Sequence, residues 1–138
     1  RDVLQGSQMS NLKTYTVKAS WFNDAEVTLQ VGHDLLTPEM AKEINDFWSE
    51  ANYRLLQEDQ DVVRVVIRMF GARTISLAME QGGWDFSKQS VVAGLRTAQE
   101  VIDSYGEGWP KAEELGIYVI QVAADSVGFD DVELEAVE

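Results

Sequence analysis

A chain of 138 residues with 24 Asp and Glu against 11 Lys and Arg, a formal charge of -13 and no cysteine reads as one domain large enough to fold without disulfide or structural metal. The missing thiols exclude disulfides, thiolate zinc sites, iron–sulfur clusters and a cysteine nucleophile. A surface this negative is unlike that of a nucleic-acid binder and repels an anionic membrane, so the expected partner is a basic protein, with no direct nucleic-acid or membrane binding.

Arg1–Gln8 read as a foreign or disordered lead, because Met9-Ser10-Asn11 looks like a natural start. Residues 9–138 are expected to form a single α+β domain. Arg1–Ser10 has no apolar stretch of the kind a signal peptide needs, and the chain has no transmembrane run of about 18 apolar residues. A cytoplasmic location fits this composition.

Leu12–Phe22 alternates, with Tyr15, Val17, Ala19 and Trp21 on one face and Thr14, Thr16, Lys18 and Ser20 on the other. This is the period of a half-buried strand. Glu26–Val31 alternates again, so a hairpin is expected. A two-residue turn at Asn23-Asp24 would set Trp21 against Glu26, apolar against polar. An odd-length loop restores agreement. With Phe22, Asn23 and Asp24 as the loop, Ala19 pairs with Val27 and Val17 with Leu29, and Asp24 falls where a left-handed residue is tolerated.

Thr37-Pro38-Glu39 opens a helix with a capping hydroxyl, a proline in the first turn and an acid beside it. Its apolar stripe runs Met40, Ile44, Phe47, Trp48, Ala51 and Leu55. Asp59-Gln60-Asp61 interrupts the pattern and supplies another cap. Val62–Met79 is apolar nearly all round and reads as a buried helix, kinked or loosened near Gly71, although the β-branched stretch 62–70 also fits a strand. Gly82-Gly83 ends it. Ser87 is expected to cap a third helix with Val91, Leu95, Ala98, Ile102 and Tyr105 inward, stopping at Gly106. Gly106–Gly116 is a loop with a short helical turn at Lys111–Leu115. Ile117–Ala124 is an interior strand, apolar on both faces. Val132, Leu134 and Ala136 alternate with Asp131, Glu133 and Glu135 in a final strand. The expected fold is an α+β two-layer sandwich of order ββαααββ: a four-stranded, largely antiparallel sheet with about three helices on one face.

Four groups of residues bear on function. Glu39, Glu43, Asp46 and Glu50, at steps of four, three and four, share a helical sector of roughly 60° over about 16 Å. Like charges at this spacing repel, so the ridge does not serve helix stability. It reads as a phosphate-like row facing a basic partner, against the plainer reading of a solvated helix face. Asp130, Asp131, Glu133 and Glu135 could collect Ca²⁺ or Mg²⁺, but they fail the EF-hand spacing and suit a charged edge strand better. His33, the single histidine, has no nucleophile motif beside it and reads as structural or exposed. Arg64 and Arg68, one turn apart, could take an anion, and are expected to pair with acids of the first helix. Trp84 and Trp109, placed in loops, are candidates for a contact surface.

From Met9 onward the chain resembles small acidic proteins of unknown function found in bacteria and their phages. The likeness lies in the Trp109-Pro110 loop, the Leu115-Gly116-Ile117 approach to an apolar strand and the acidic final segment. It supplies no catalytic residues. It implies an accessory role, such as binding or inhibiting a host factor. The residues and the resemblance together point to a non-catalytic acidic binding protein without cofactor, one that masks or mimics nucleic acid toward a basic partner. A homo-oligomeric accessory protein is the alternative, and a divalent-metal-dependent enzyme a third.

Overall fold

The hairpin keeps the parity that its side-chain pattern demands. In the computed structural model, which describes residues 12–19 and 24–136, strands β1 (Leu12–Ala19) and β2 (Ala25–Gly32) pair antiparallel with Ala19 opposite Ala25 and Val17 opposite Val27. The register differs by two residues from the one expected around a Phe22–Asp24 loop: Ala19 faces Ala25 and not Val27, and Val17 faces Val27 and not Leu29. Five residues lie between Ala19 and Ala25, the last pair of the described ladder. Lys18, not Trp21, faces Glu26, and Asp24 takes a positive φ of 51°. Trp21, Phe22 and the Arg1–Gln8 lead lie outside the described residues.

Five helices and two more strands follow: α1 (Pro38–Phe47), α2 (Ala51–Gln57), α3 (Val62–Glu80), β3 (Gly83–Phe86), α4 (Val91–Tyr105), α5 (Ala112–Leu115) and β4 (Ile117–Asp125). The sheet order is β1-β2-β4-β3, with every neighbouring pair antiparallel. The α+β class and the four-stranded antiparallel sheet agree with the sequence. One strand was misplaced. Val132–Ala136 belongs to no strand; it follows a 3-10 turn at Phe129–Asp131. Gly83–Phe86 is the fourth strand instead, so the order is not ββαααββ in detail.

Residues paired across a sheet share a face. Val27 with Val122, Leu29 with Val119 and Val31 with Ile117 therefore form one apolar side, and all six are buried in the core. Buried residues of α1, α3, α4 and α5 complete that core. The opposite face presents Thr14, Thr16, Lys18, Glu26, Thr28 and Gln30.

Helix α3 runs unbroken through Gly71. No kink is needed there, because the glycine serves close packing: a Cβ on Gly71 would stand 2.6 Å from the Cβ of Val17. Glycine lets α3 lie directly against β1. Helix α4 starts three residues later than expected, at Ser90, whose hydroxyl accepts from the Ala93 N–H at 3.2 Å. Residues 87–89 are used otherwise. Gln89 runs beside the part of β4 that β3 is too short to cover, donating its main-chain N–H to the Ile120 carbonyl at 2.9 Å and its side-chain amide to the Val119 carbonyl at 2.8 Å. These are the carbonyls around the irregular pairing between β2 and β4, and an unpaired buried carbonyl there would be costly.

Candidate binding surface

Helix α1 starts as the sequence dictates. The Thr37 side chain accepts from the Met40 N–H at 3.2 Å, and Pro38 opens the first turn. Ala41, Ile44 and Asn45 are buried, which turns Glu39, Glu43 and Asp46 outward; all three are exposed, as is Glu50. Lys42 holds Asp46 at 2.6 Å, and that bond raises the lysine's pKa above its ordinary value. Among the described residues no ion pair engages Glu39, Glu43 or Glu50.

The four acids do not form one helical row. The helix stops at Phe47, and Glu50 adopts a left-handed conformation with φ 70° before α2 begins. The cause is a polar clasp built around the buried Asn45. Arg54 donates to the Asn45 side-chain oxygen at 2.7 Å and to the carbonyls of Ser49, Asn45 and Trp48 at 2.6, 3.0 and 3.2 Å. The Asn45 amide donates to the Ala51 carbonyl at 3.3 Å. These bonds satisfy carbonyls that a helix C-terminus leaves without partners. The ridge is therefore Glu39, Glu43 and Asp46 on α1, with Glu50 set apart on the following turn. Phe47, expected to lie in the apolar stripe, is 51% exposed.

The tryptophans chosen as contact residues turn inward. Trp84 lies in β3 opposite Ala124, on the buried face, and packs against the core with its ring 6.2 Å from that of Phe86. Trp109 stacks on Tyr105 at 4.7 Å and meets Phe70 edge-on at 5.8 Å. Its indole nitrogen, like that of Trp48, is buried and has no hydrogen-bond partner among the described residues. Burial pushes the Tyr105 hydroxyl up to about 12.

The C-terminal acids lie in exposed chain. Asp131 accepts from the Gly128 N–H at 2.8 Å, and Asp130, Glu133 and Glu135 are exposed. Among the described residues no three His, Cys, Asp or Glu side chains gather where one cation could bind. His33 is tied to the fold, its Nε2 lying 2.8 Å from the Tyr15 hydroxyl.

Arg64 and Arg68 both bind Glu58, each at 2.9 Å. Their partner is not an acid of α1, the first helix, but Glu58 just past the end of α2, and this single carboxylate serves both. The Arg64 hydrogen bond holds the Glu58 carboxyl below the usual carboxylate range, against the opposing effect of burial. Lys18 of β1 and the two arginines line one furrow with Tyr15, Thr16, Val17 and Ile67. The sequence reading missed this grouping, since only the close approach of β1 to α3 at Gly71 brings Lys18 there. It also placed Val132 and Leu134 in a strand. Phe129 and Leu134 are 91% and 98% exposed.

Residues 26–134 match DUF2528, a protein family of unknown function, and the chain belongs to it. Over 131 residues it is 28% identical to protein ea10 of Escherichia phage lambda and to the lambda prophage-derived protein ea10 of Escherichia coli O6:H1, covering 93% of this chain and 99% of each relative. The resemblance to small proteins of bacteria and their phages thus stands. No solved structure matches the chain. Among the described residues no helix is long and apolar enough to cross a membrane.

Proposed function

We propose that this member of DUF2528 is a non-catalytic cytoplasmic binding protein whose acidic surface engages a basic protein and masks that protein's nucleic-acid-binding face. The observation that carries the reading is the exposed side of α1. Glu39 and Glu43 stand one turn apart without ion pairs among the described residues, and Glu50 adds a third such carboxylate beyond the helix end. Solvated carboxylates that are not already neutralised can meet lysines and arginines without first breaking an internal bond. Asp46 contributes less, because Lys42 already binds it.

The test is capture from a bacterial lysate on the immobilised chain at low salt, followed by elution at raised salt. The reading expects a basic protein that elutes with salt and is absent when Glu39→Gln, Glu43→Gln and Glu50→Gln are combined. Charge-driven contacts weaken steeply with ionic strength. Equal capture by the substituted chain would remove the α1 surface from the account.

A further inference from the structure

Helix α1 ends on an aromatic ring that the core does not take. Ala41, Ile44 and Asn45 are buried on its inner side, whereas Phe47 is 51% exposed. A lone exposed apolar side chain is ordinary, but this one is also held in place. Trp48 meets it edge-on with centroids 5.0 Å apart, and Trp48 in turn lies 5.5 Å from Tyr105. Phe47 is thus the outer member of an aromatic series that continues through Tyr105 and Trp109 to the buried Phe70. On another side the loop 106–108 closes on the ring. A Cβ on Gly108 would stand 2.5 Å from the Phe47 Cδ2, and this glycine has a φ of 91°. Only a residue without a side chain brings the main chain so near at that φ. The ring is fixed without being covered.

The charges beside it are negative and unpaired. Glu43 precedes Phe47 by one turn of α1, which sets their Cβ atoms about 5–6 Å apart on one side of the helix. Glu107 precedes Gly108 in the loop that touches the ring. Both acids are exposed, and among the described residues no ion pair engages either. The nearby Lys42 is held by Asp46. Among the described residues a cation stacks on Tyr105, where Arg73 lies 5.8 Å from the ring centroid, and none on Phe47.

We propose that an arginine of the basic partner lays its guanidinium on the open face of Phe47, between Glu43 and Glu107. The proposal rests on the reading of α1 as the partner-facing surface and names its anchor. An aromatic face attracts a cation, and carboxylates on both flanks add charge-assisted hydrogen bonds. Arginine fits better than lysine, because its planar, weakly hydrated guanidinium stacks on a ring and its fork of N–H groups reaches two acceptors. A ring already fixed by Trp48 and Gly108 loses little freedom on contact.

The probe is the capped tripeptide acetyl-Gly-Arg-Gly-amide, with its lysine counterpart, titrated into the full chain and followed by NMR. The Phe47 ring signals are identified by their loss in Phe47→Leu. The arginine peptide should shift them saturably and bind at least threefold tighter than the lysine peptide. Phe47→Leu keeps an apolar side chain beside Trp48 and removes the ring face. That variant and, separately, the Glu43→Gln, Glu107→Gln double variant should each lose at least threefold in affinity with an unchanged circular dichroism spectrum. Shifts spread over the acidic surface while the Phe47 ring signals stay still overturn the proposal, as does full affinity in Phe47→Leu. Should Phe47→Leu fail to fold, the double variant decides, since both its side chains are exposed: unchanged affinity there overturns the proposal too. Binding that survives Phe47→Leu but is lost with Glu39→Gln, Glu43→Gln and Glu50→Gln removes the anchor and keeps the acidic surface. A wild-type chain that neither peptide shifts at α1 removes both.

Discussion

The guanidinium of Arg54 donates to Asn45 twice, to the side-chain oxygen at 2.7 Å and to the main-chain carbonyl at 3.0 Å. Asn45 is fully buried, so this pair seals the end of α1 from inside. Replacing Arg54 by Ala leaves a buried amide oxygen and several helix-end carbonyls short of donors. Each buried group left unsatisfied costs about 1–3 kcal/mol. Urea unfolding should show a loss of about 2–4 kcal/mol for Arg54→Ala. Lysine at this position should recover less than half, because a point charge cannot bind four oxygens in a planar fork. A loss under 1 kcal/mol would mean that solvent replaces the clasp.

Gly71 and Val17 set a second expectation. An alanine methyl at Gly71 would fall 2.6 Å from the Val17 Cβ, inside any permitted contact, so α3 must move away from β1. Alanine favours helix over glycine by about 1 kcal/mol, yet Gly71→Ala should destabilise by about 1–3 kcal/mol, the usual range for overpacking. Adding Val17→Ala should restore part of the loss, and thermal melts of the single and double variants decide it. An unchanged or raised melting point for Gly71→Ala would show that the glycine is not there for packing.

Glu58 gives a pH dependence with a defined sign. Its carboxyl is held below the ordinary 4.5 by hydrogen bonds from Arg64 and Arg68. A group depressed in the folded state stabilises the fold fully above the unfolded value, and the contribution disappears as pH falls through the folded value. Stability should therefore decline on acidification below 4.5, and Glu58→Gln should show a shallower decline over the same interval. Both arginines are more than half exposed, so the effect is modest. Identical slopes for the two proteins in urea titrations at several pH values would dismiss the ion pairs as contributors.

Tyr105 behaves oppositely. Burial raises its hydroxyl to about 12, and a raised folded value stabilises fully below the unfolded value and is lost as pH rises through the folded one. Absorbance titration should find tyrosine that stays protonated beyond the ordinary 10.0 while the fold persists, and Tyr105→Phe should shrink that late step, leaving the part due to Tyr118, which burial also raises. If every tyrosine ionises together near the ordinary value, the ring is not enclosed.

The α1 acids should be dispensable for folding. Glu39→Gln, Glu43→Gln and Glu50→Gln remove solvated charges, so the triple variant should match or slightly exceed wild-type stability, since like charges one turn apart cost a few tenths of a kcal/mol. Its effect should appear in association, as a slower on-rate and a flatter salt dependence with the captured protein. A marked loss of stability instead would give these residues a structural role.

Much of the fold was legible because period and caps are local. The alternation around Val17 and Val27 gave the hairpin parity, and Thr37-Pro38 placed the start of α1. What escaped depends on distant neighbours. Asn45 looks like an ordinary polar position until Arg54 folds back on it, so the helix seemed continuous through Phe47 and Trp48. Residues 132–136 alternate as well as any strand but find no edge within the described chain, while Gly83–Phe86 is too short to show a period and is a strand because β4 lies beside it. The acids of α1 are exposed because the apolar positions Ala41 and Ile44 turn the other side of the helix inward. Trp84 and Trp109 are half-buried against the core, because residues outside helices can still point into it.

The sheet order β1-β2-β4-β3 has a consequence for synthesis. Of the described strands, the one latest in the chain occupies the interior of the sheet, between β2 and β3. Until Ile117–Asp125 leaves the ribosome, Val27, Leu29 and Val31 of β2 have no β4 beside them, and Gly83–Phe86 has nothing to pair with. Non-local pairing of this kind is slow and leaves apolar surface open meanwhile. Until that strand is made the two halves of the sheet stay unjoined, and a stop before Ile117 removes the strand that joins them.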